Sequence, residues 1–224
     1  YLQATGTEAD SIHFFPADTS IGWGGITFLD APDSSQLAYC TVRYAGVLDP
    51  FSGEGGIRCS NANPLITHCT ISNNKSGQQT VHAGGIAVSD GAGPEISHCT
   101  ISGNYAINGG GILITENSWQ QVFITECDII DNQAVLGGGI CLYDDCSATI
   151  SDCLVSGNTG FSSGAGIYGY YSSATLTDCV IQDNTAEENG GGMGCWHFDA
   201  TLSNCSFTNN MIASDGLGGG IGCI

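Results

Sequence analysis

The chain is 224 residues long and carries 22 acidic side chains against 3 basic ones, a formal charge of −19. Nucleic acid is bound by neutralising phosphates with Lys and Arg, so that class of partner is excluded. Acidic polysaccharides and anionic membrane surfaces would be repelled unless divalent cations bridge them. No apolar run approaches the roughly 20 residues of a membrane-spanning helix, so direct membrane insertion is not expected. Neutral glycans, proteins and cations remain.

In chain order, Tyr1 to Gln36 has a loose pattern in which Tyr1 to Pro16 is expected to form an irregular first coil or cap. Gly22-Trp23-Gly24-Gly25-Ile26 is the first of a recurring glycine step, and Trp23 is expected to cover the end of a stack. From residue 37 to 224 one unit repeats. Its cysteine falls at Cys40, Cys69, Cys99, Cys127, Cys153, Cys179 and Cys205, at spacings of 29, 30, 28, 26, 26 and 26. An asparagine follows five residues later, at Asn74, Asn104, Asn132, Asn158, Asn184 and Asn210. A glycine-glycine-apolar step completes the unit at Ile57, Ile86, Ile112, Ile140, Met193 and Ile221, with Gly164-Ala165-Gly166-Ile167 as a variant. Three columns held in register are the signature of a repeat array, and no composition shift suggests a second domain. No signal peptide is expected in the first residues of the chain, and Ile224 is expected to fall where a new coil opens. The chain is therefore expected to be a piece of a longer parent chain, whose other parts count among its partners.

One coil shows the geometry. In Ile150-Ser-Asp-Cys153-Leu-Val155, Cys153 and Val155 share a face by the strand period of two, but Ile150 has the wrong parity. A corner at Ser151-Asp152 resolves this. The same corner recurs at Thr67, Ser97, Thr125, Thr177 and Ser203. A second bend places the asparagine where like amides can bond to each other up a stack. A further strand begins at the glycine step, where Ile140 and Leu142 point inward. Three short strands per turn over about eight coils predict an all-β parallel β-helix.

Cysteines stacked at about 4.8 Å with parallel Cβ vectors do not meet disulfide geometry, so the column reads as small buried apolar fillers. Cys59, Cys195 and Cys223 occupy another inward column. Cys141, outward-facing, and Cys146, in a loop, are the two expected to be free to pair.

The coils resemble the right-handed parallel β-helix repeats of the pectin-lyase-like superfamily. The pairing of Gly-Gly-x-Ile with Phe207-Thr-Asn-Asn210 resembles repeats of chlamydial polymorphic outer-membrane proteins and related bacterial surface proteins. The resemblance implies a right-handed coil, export and surface display, with adhesion or glycan processing as the role. The chain departs from the adhesin repeats in having Gly-Gly-Gly where an alanine is common, and no membrane-barrel domain is expected within these residues. In lyases of the superfamily an Arg or Lys abstracts a proton beside calcium-binding carboxylates. Arg43 and Arg58 would be the counterparts, without an acidic cluster mapped beside them.

Outward positions of the glycine-step strand supply the site candidates. Three residues past the apolar anchor stand Tyr143, Tyr170 and Trp196, a stripe on three adjacent coils. Tyr168 lies two residues before Tyr170, and Tyr171 and His197 lie next to the stripe. Rings for apolar sugar faces beside polar groups for hydroxyls make a glycan platform, although stacked aromatics also stabilise strands on their own. Glu116, Asp144 and Asp145 border the stripe, and their separation of one coil is compatible with a pair of glycosidase carboxylates. The Gly-His-Gly and Arg-x-Lys motifs of β-helical pectin hydrolases are absent. His68 and His98 continue into Glu126, Asp152 and Asp178 in the column before the cysteine. Ligands in a single file do not converge on an ion, so no cofactor is expected, with calcium the ion the acidic half would gather weakly. Ranks of Thr on a flat face, as in ice binding, are missing. The expectation is a secreted or cell-surface structural and adhesive β-helix that recognises glycan or a surface protein. The alternative is an extracellular polysaccharide lyase or glycoside hydrolase using Glu116, Asp144 and Asp145.

Overall fold

The computed structural model describes residues 1–46, 55–77, 83–116 and 120–223; Ile224, where a new coil was expected to open, lies outside them. The chain winds as a solenoid of parallel strands, in which every ladder between strands is parallel and joins one coil to the next. Glycine-step strands run from Ile26–Leu29 through Ile86–Ser89 and Ile140–Tyr143 to Ile221–Cys223. Strands that precede the corner, such as Glu95–Ser97 and Ser147–Ser151, form a second rank. Strands that follow the cysteine, such as Thr100–Ser102 and Leu154–Ser156, form the third in an eight-stranded sheet. Four short strands after the asparagine, among them Gln133–Leu136 and Thr159–Ser163, close the later coils. No helix among the described residues is long and apolar enough to cross a membrane.

The repeat columns become stacks. Ile112, Ile140 and Ile167 pair in register, as do Ile101, Ile129 and Val155. All of these are fully buried in one continuous core along the axis. Each such side chain contributes about 1.5–3 kcal/mol on burial, but only because the coils above and below cover it. At the N-terminal end Gln3–Thr5 and Ile12–Phe14 already pair with the next coil. Trp23 stacks on Phe14 at 6.5 Å and donates its indole N–H to Arg43 O.

The corners have one conformational recipe. Tyr39, His68, His98, Glu126, Asp152 and Asp178 hold φ between 51° and 54°. That left-handed turn reverses strand parity, which is why Ile150 and Cys153 both face the core. Cys153 aims its thiol at Ser151 O (3.1 Å) and Ile124 O (3.6 Å), so the column is satisfied as well as packed.

The asparagine column is a continuous ladder. Asn158 Nδ2 donates to Asn184 Oδ1 (3.0 Å) and to Ile129 O (2.9 Å). Its Oδ1 accepts from both the backbone and the side-chain N–H groups of Asn132 (2.9 and 3.1 Å). All the amide's donors and acceptors find partners at a fully buried position. The glycine step exists partly to admit this ladder. A Cβ on Gly139 would stand 3.0 Å from Asn158 Nδ2. At Gly137 (φ 64°) the loop folds back over the strand, and a Cβ would stand 2.7 Å from that of Cys141.

Two expectations about cysteine need correction. Cys141 points away from the coil interior, as expected, but it is fully buried in a second small cluster with Ala83, Ala87 and Leu113 on the outer face of the glycine-step strands. Cys146 belongs to the main core and donates to Ile114 O (3.3 Å). The two thiols therefore serve opposite faces of the sheet, and both are free rather than paired. Cys223, placed in an inward column, is exposed, since no described coil stacks beyond it.

Candidate functional site

The aromatic stripe forms in register. Tyr143 pairs with Tyr170, and Tyr170 with Trp196. The rings of Tyr143 and Tyr170 are stacked at 4.7 Å with an interplanar angle of 15°. Tyr171 and His197 take the left-handed turn position (φ 44° and 47°) and stack on each other at 4.6 Å. Tyr171 stands edge-on to Tyr170, and His197 edge-on to Trp196. Tyr171 and Trp196 are 47% and 41% exposed, so ring area is open to a ligand. Tyr168 has a different place: it is half-buried against the Leu113–Cys141 cluster, and it borders with Trp196 a separate cavity of about 30 Å³. Burial raises the Tyr143 phenol, with the Asp144 carboxylate adding to the effect. The same burial pushes Tyr168 up to about 12, reinforced by Cys141. Both phenols are thus neutral donors near neutral pH.

Beside the stripe opens a cleft of about 540 Å³. Tyr171 and His197 form its aromatic wall, Asp145 and Asp199 its acidic ends, and Ser147, Ser172 and Ser173 its hydroxyl floor, with Cys146 beneath. Its origin is a change of register. Between Tyr143 and Ser147 stand three residues, but between their partners Tyr170 and Ser173 only two. The extra Asp145 makes the chain turn outward there and donates its N–H to Tyr171 O (2.8 Å). The next two coils pass the same place as unbroken strands, Ile167–Thr177 and Met193–Ser203. Gly169 stands at an inward position filled by Leu142 in the coil before, and the vacated space takes the Phe198 ring. Burial pushes the Cys146 thiol up to about 12, so it contributes no thiolate to the cleft.

The three candidate carboxylates of the hydrolase alternative separate here. Only Asp145 lines the cleft; Glu116 and Asp144 stand on the exposed turn column. Arg43 and Arg58, the lyase candidates, lie on different sheets. Arg58 is 4.0 Å from Asp90, whose carboxyl is held below its ordinary value by the Ser60 and Ser89 hydroxyls and, less strongly, by that arginine. Glu126, Asp152 and Asp178 keep to a single file along the other turn column. There Tyr39, His68 and His98 stack at 4.6 Å, and His98 Nδ1 lies 3.2 Å from Glu126 Oε2. Among the described residues no group of three or more His, Cys, Asp or Glu side chains converges as metal ligands do.

Asp199, Ser147, Ser172 and Ser173 escaped the sequence reading. Their signal is the pairing of Ser147, Ser173 and Asp199 across three coils, which requires knowing where the extra residue sits.

A family model for the right-handed β-helix region matches residues 19–162 and, in an overlapping second alignment, residues 79–223. No curated protein and no solved structure matches the chain significantly. The two alignments together span nearly all of the solenoid, and the chain belongs to the right-handed β-helix family.

Proposed function

We propose that this protein is a secreted or surface-displayed β-helix that binds glycan chains on the Tyr143–Tyr170–Trp196 face and in the adjoining cleft. The observation that carries the reading is the in-register aromatic stripe, partly exposed and joined edge-on to Tyr171 and His197, which line a hydroxyl- and carboxylate-bearing recess. Sugar rings present apolar faces to aromatic side chains while their hydroxyls bond to polar groups alongside. A solenoid offers such groups at a regular spacing of about 4.8 Å, suited to a linear polymer lying along the stack. The likeness of the repeats to those of the pectin-lyase-like superfamily and of chlamydial polymorphic outer-membrane proteins agrees with display outside the cell.

Glycan-array binding of the intact chain, repeated with Trp196→Ala and Tyr170→Ala, tests this. Each substitution is expected to weaken binding roughly tenfold, as the loss of about 1.5 kcal/mol of ring contact requires. Undiminished binding in both variants would remove the face from consideration. Release of reducing ends or unsaturated products from a bound polysaccharide, abolished in Asp145→Asn, would instead make the cleft catalytic.

A further inference from the structure

We infer that the glycan bound here carries free amino groups, making it a cationic amino-sugar polymer rather than a neutral or uronic one. The inference rests on the glycan-binding reading and narrows it. The ends of the cleft are Asp145 and Asp199, both exposed, and none of its lining residues is Lys or Arg. Asp145 belongs to the coil of Tyr143 and Asp199 to that of Trp196, so the two carboxylates sit two coils apart, about 10 Å along the stack. An amino-sugar chain lying parallel to the axis would bring successive amines past both.

The aromatic wall agrees with this charge. Tyr171 is 47% exposed although His197 stacks on it, and it lines the cleft together with those carboxylates; an ammonium group is attracted both to the ring quadrupole and to the carboxylate. The wider field has the same sign. All three basic residues lie at or before residue 75, whereas most of the acids follow it. The cleft, built from residues 145–199, therefore lies in the half of the solenoid with no fixed positive charge, which draws cations and repels uronates. Because the carboxylates are exposed, their share of the affinity is salt-sensitive.

The test is calorimetric titration of the whole chain with a β-1,4-linked glucosamine hexamer, its fully N-acetylated counterpart and an oligogalacturonate. It is run at about pH 6, below the range of an ordinary amino group. The glucosamine hexamer is expected to bind roughly tenfold tighter than the acetylated one, the sum of one exposed cation–π contact and one exposed ion pair. Added salt should narrow the gap. Asp145→Asn combined with Asp199→Asn should bring the two hexamers to the same affinity, while Asp128→Asn combined with Asp183→Asn, the same change of charge outside the cleft, should not. Equal binding of the two hexamers, or tighter binding of the uronate, overturns the amine inference but leaves the glycan face standing. A gap that survives the double variant also overturns it. Binding of none of the three, in a chain whose circular dichroism shows it folded, overturns both.

Discussion

The asparagine ladder and the aromatic stripe are built by the same operation, the stacking of one position on its counterpart a coil away. In the ladder the residue is unchanged from Asn74 to Asn210, is buried through most of its length, and spends its hydrogen-bonding capacity on its neighbours. In the glycine-step column the residue changes three times in five steps, from Ser60 and Ser89 through Thr115 to Tyr143, Tyr170 and Trp196, and it becomes more exposed as it goes. Repetition without change is what a fold of this kind needs in order to cover each coil with the next. A departure from the repeat costs stacking complementarity, so a run of departures on one face is where a use other than stacking is to be sought. Two of the left-handed turn columns teach the same lesson. Both demand φ near 50°, yet the one through Glu126, Asp152 and Asp178 is an even ridge, whereas the one through Asp144, Tyr171 and His197 is broken by an extra residue and hollowed into a cleft.

The strongest way to break the comparison is to interrupt the ladder. Asn158→Leu leaves the Ile129 carbonyl and the N–H groups of Asn132 without their partner in a dry interior, at about 1–3 kcal/mol for each stranded group. A loss of about 4 kcal/mol is expected in urea unfolding. A loss below about 1 kcal/mol would mean that water satisfies the column and that its constancy is not structural.

Gly169→Ala joins the two regions, because a methyl group there would land on the Phe198 ring, one strand residue from His197. Overpacking of this sort costs about 1–3 kcal/mol, and binding at the stripe should weaken along with stability. Lost stability with binding intact would show that the interior does not position the aromatic wall.

Alkaline pH separates interior thiols from surface ones. Burial raises both Cys59 and Cys146 from the ordinary thiol value of 9.0 to about 12. The folded chain then keeps protons that the unfolded chain releases, so this contribution is whole below about pH 9 and is lost as pH climbs toward 12. Each thiol should remove about 1.4 kcal/mol per pH unit above 9. Cys59→Ala should flatten part of that slope in denaturant titrations at successive pH values. An unaltered slope would mean the thiol is not desolvated. The smallest effect is expected at the even ridge. Asp152→Gly relieves a left-handed residue (φ 54°) at an exposed corner and should leave stability within about 1 kcal/mol, or raise it. A larger loss there would give that ridge a role its geometry does not.

Much of the solenoid was legible because a coil is a local statement repeated. The parity break between Ile150 and Cys153 required a corner, and Asp152 supplies it; the even 26-residue spacing required Asn132, Asn158 and Asn184 to coincide, and they do. The Tyr143–Tyr170–Trp196 stripe was legible for the same reason, being counted from an anchor only three residues away. Counting failed where the chain between anchors changes length. Asp199 faces the cleft with Ser173 and Ser147 only because Asp145 is one residue too many, and no count from Ile140 reveals that. Cys141 likewise has the outward parity assigned to it, but parity says nothing of the glycine loop that folds across and buries it.

The sequence by itself thus determined the coil, its corners, its ladders and the rank of rings, since each depends on residues close together in the chain and on the fixed rise of a parallel sheet. Only the tertiary structure decided which outward residues stay exposed, which carboxylate joins the rings, and that a recess lies beside them. Those features depend on how coils of unequal length lie against one another, and that relation is not present in any one of them.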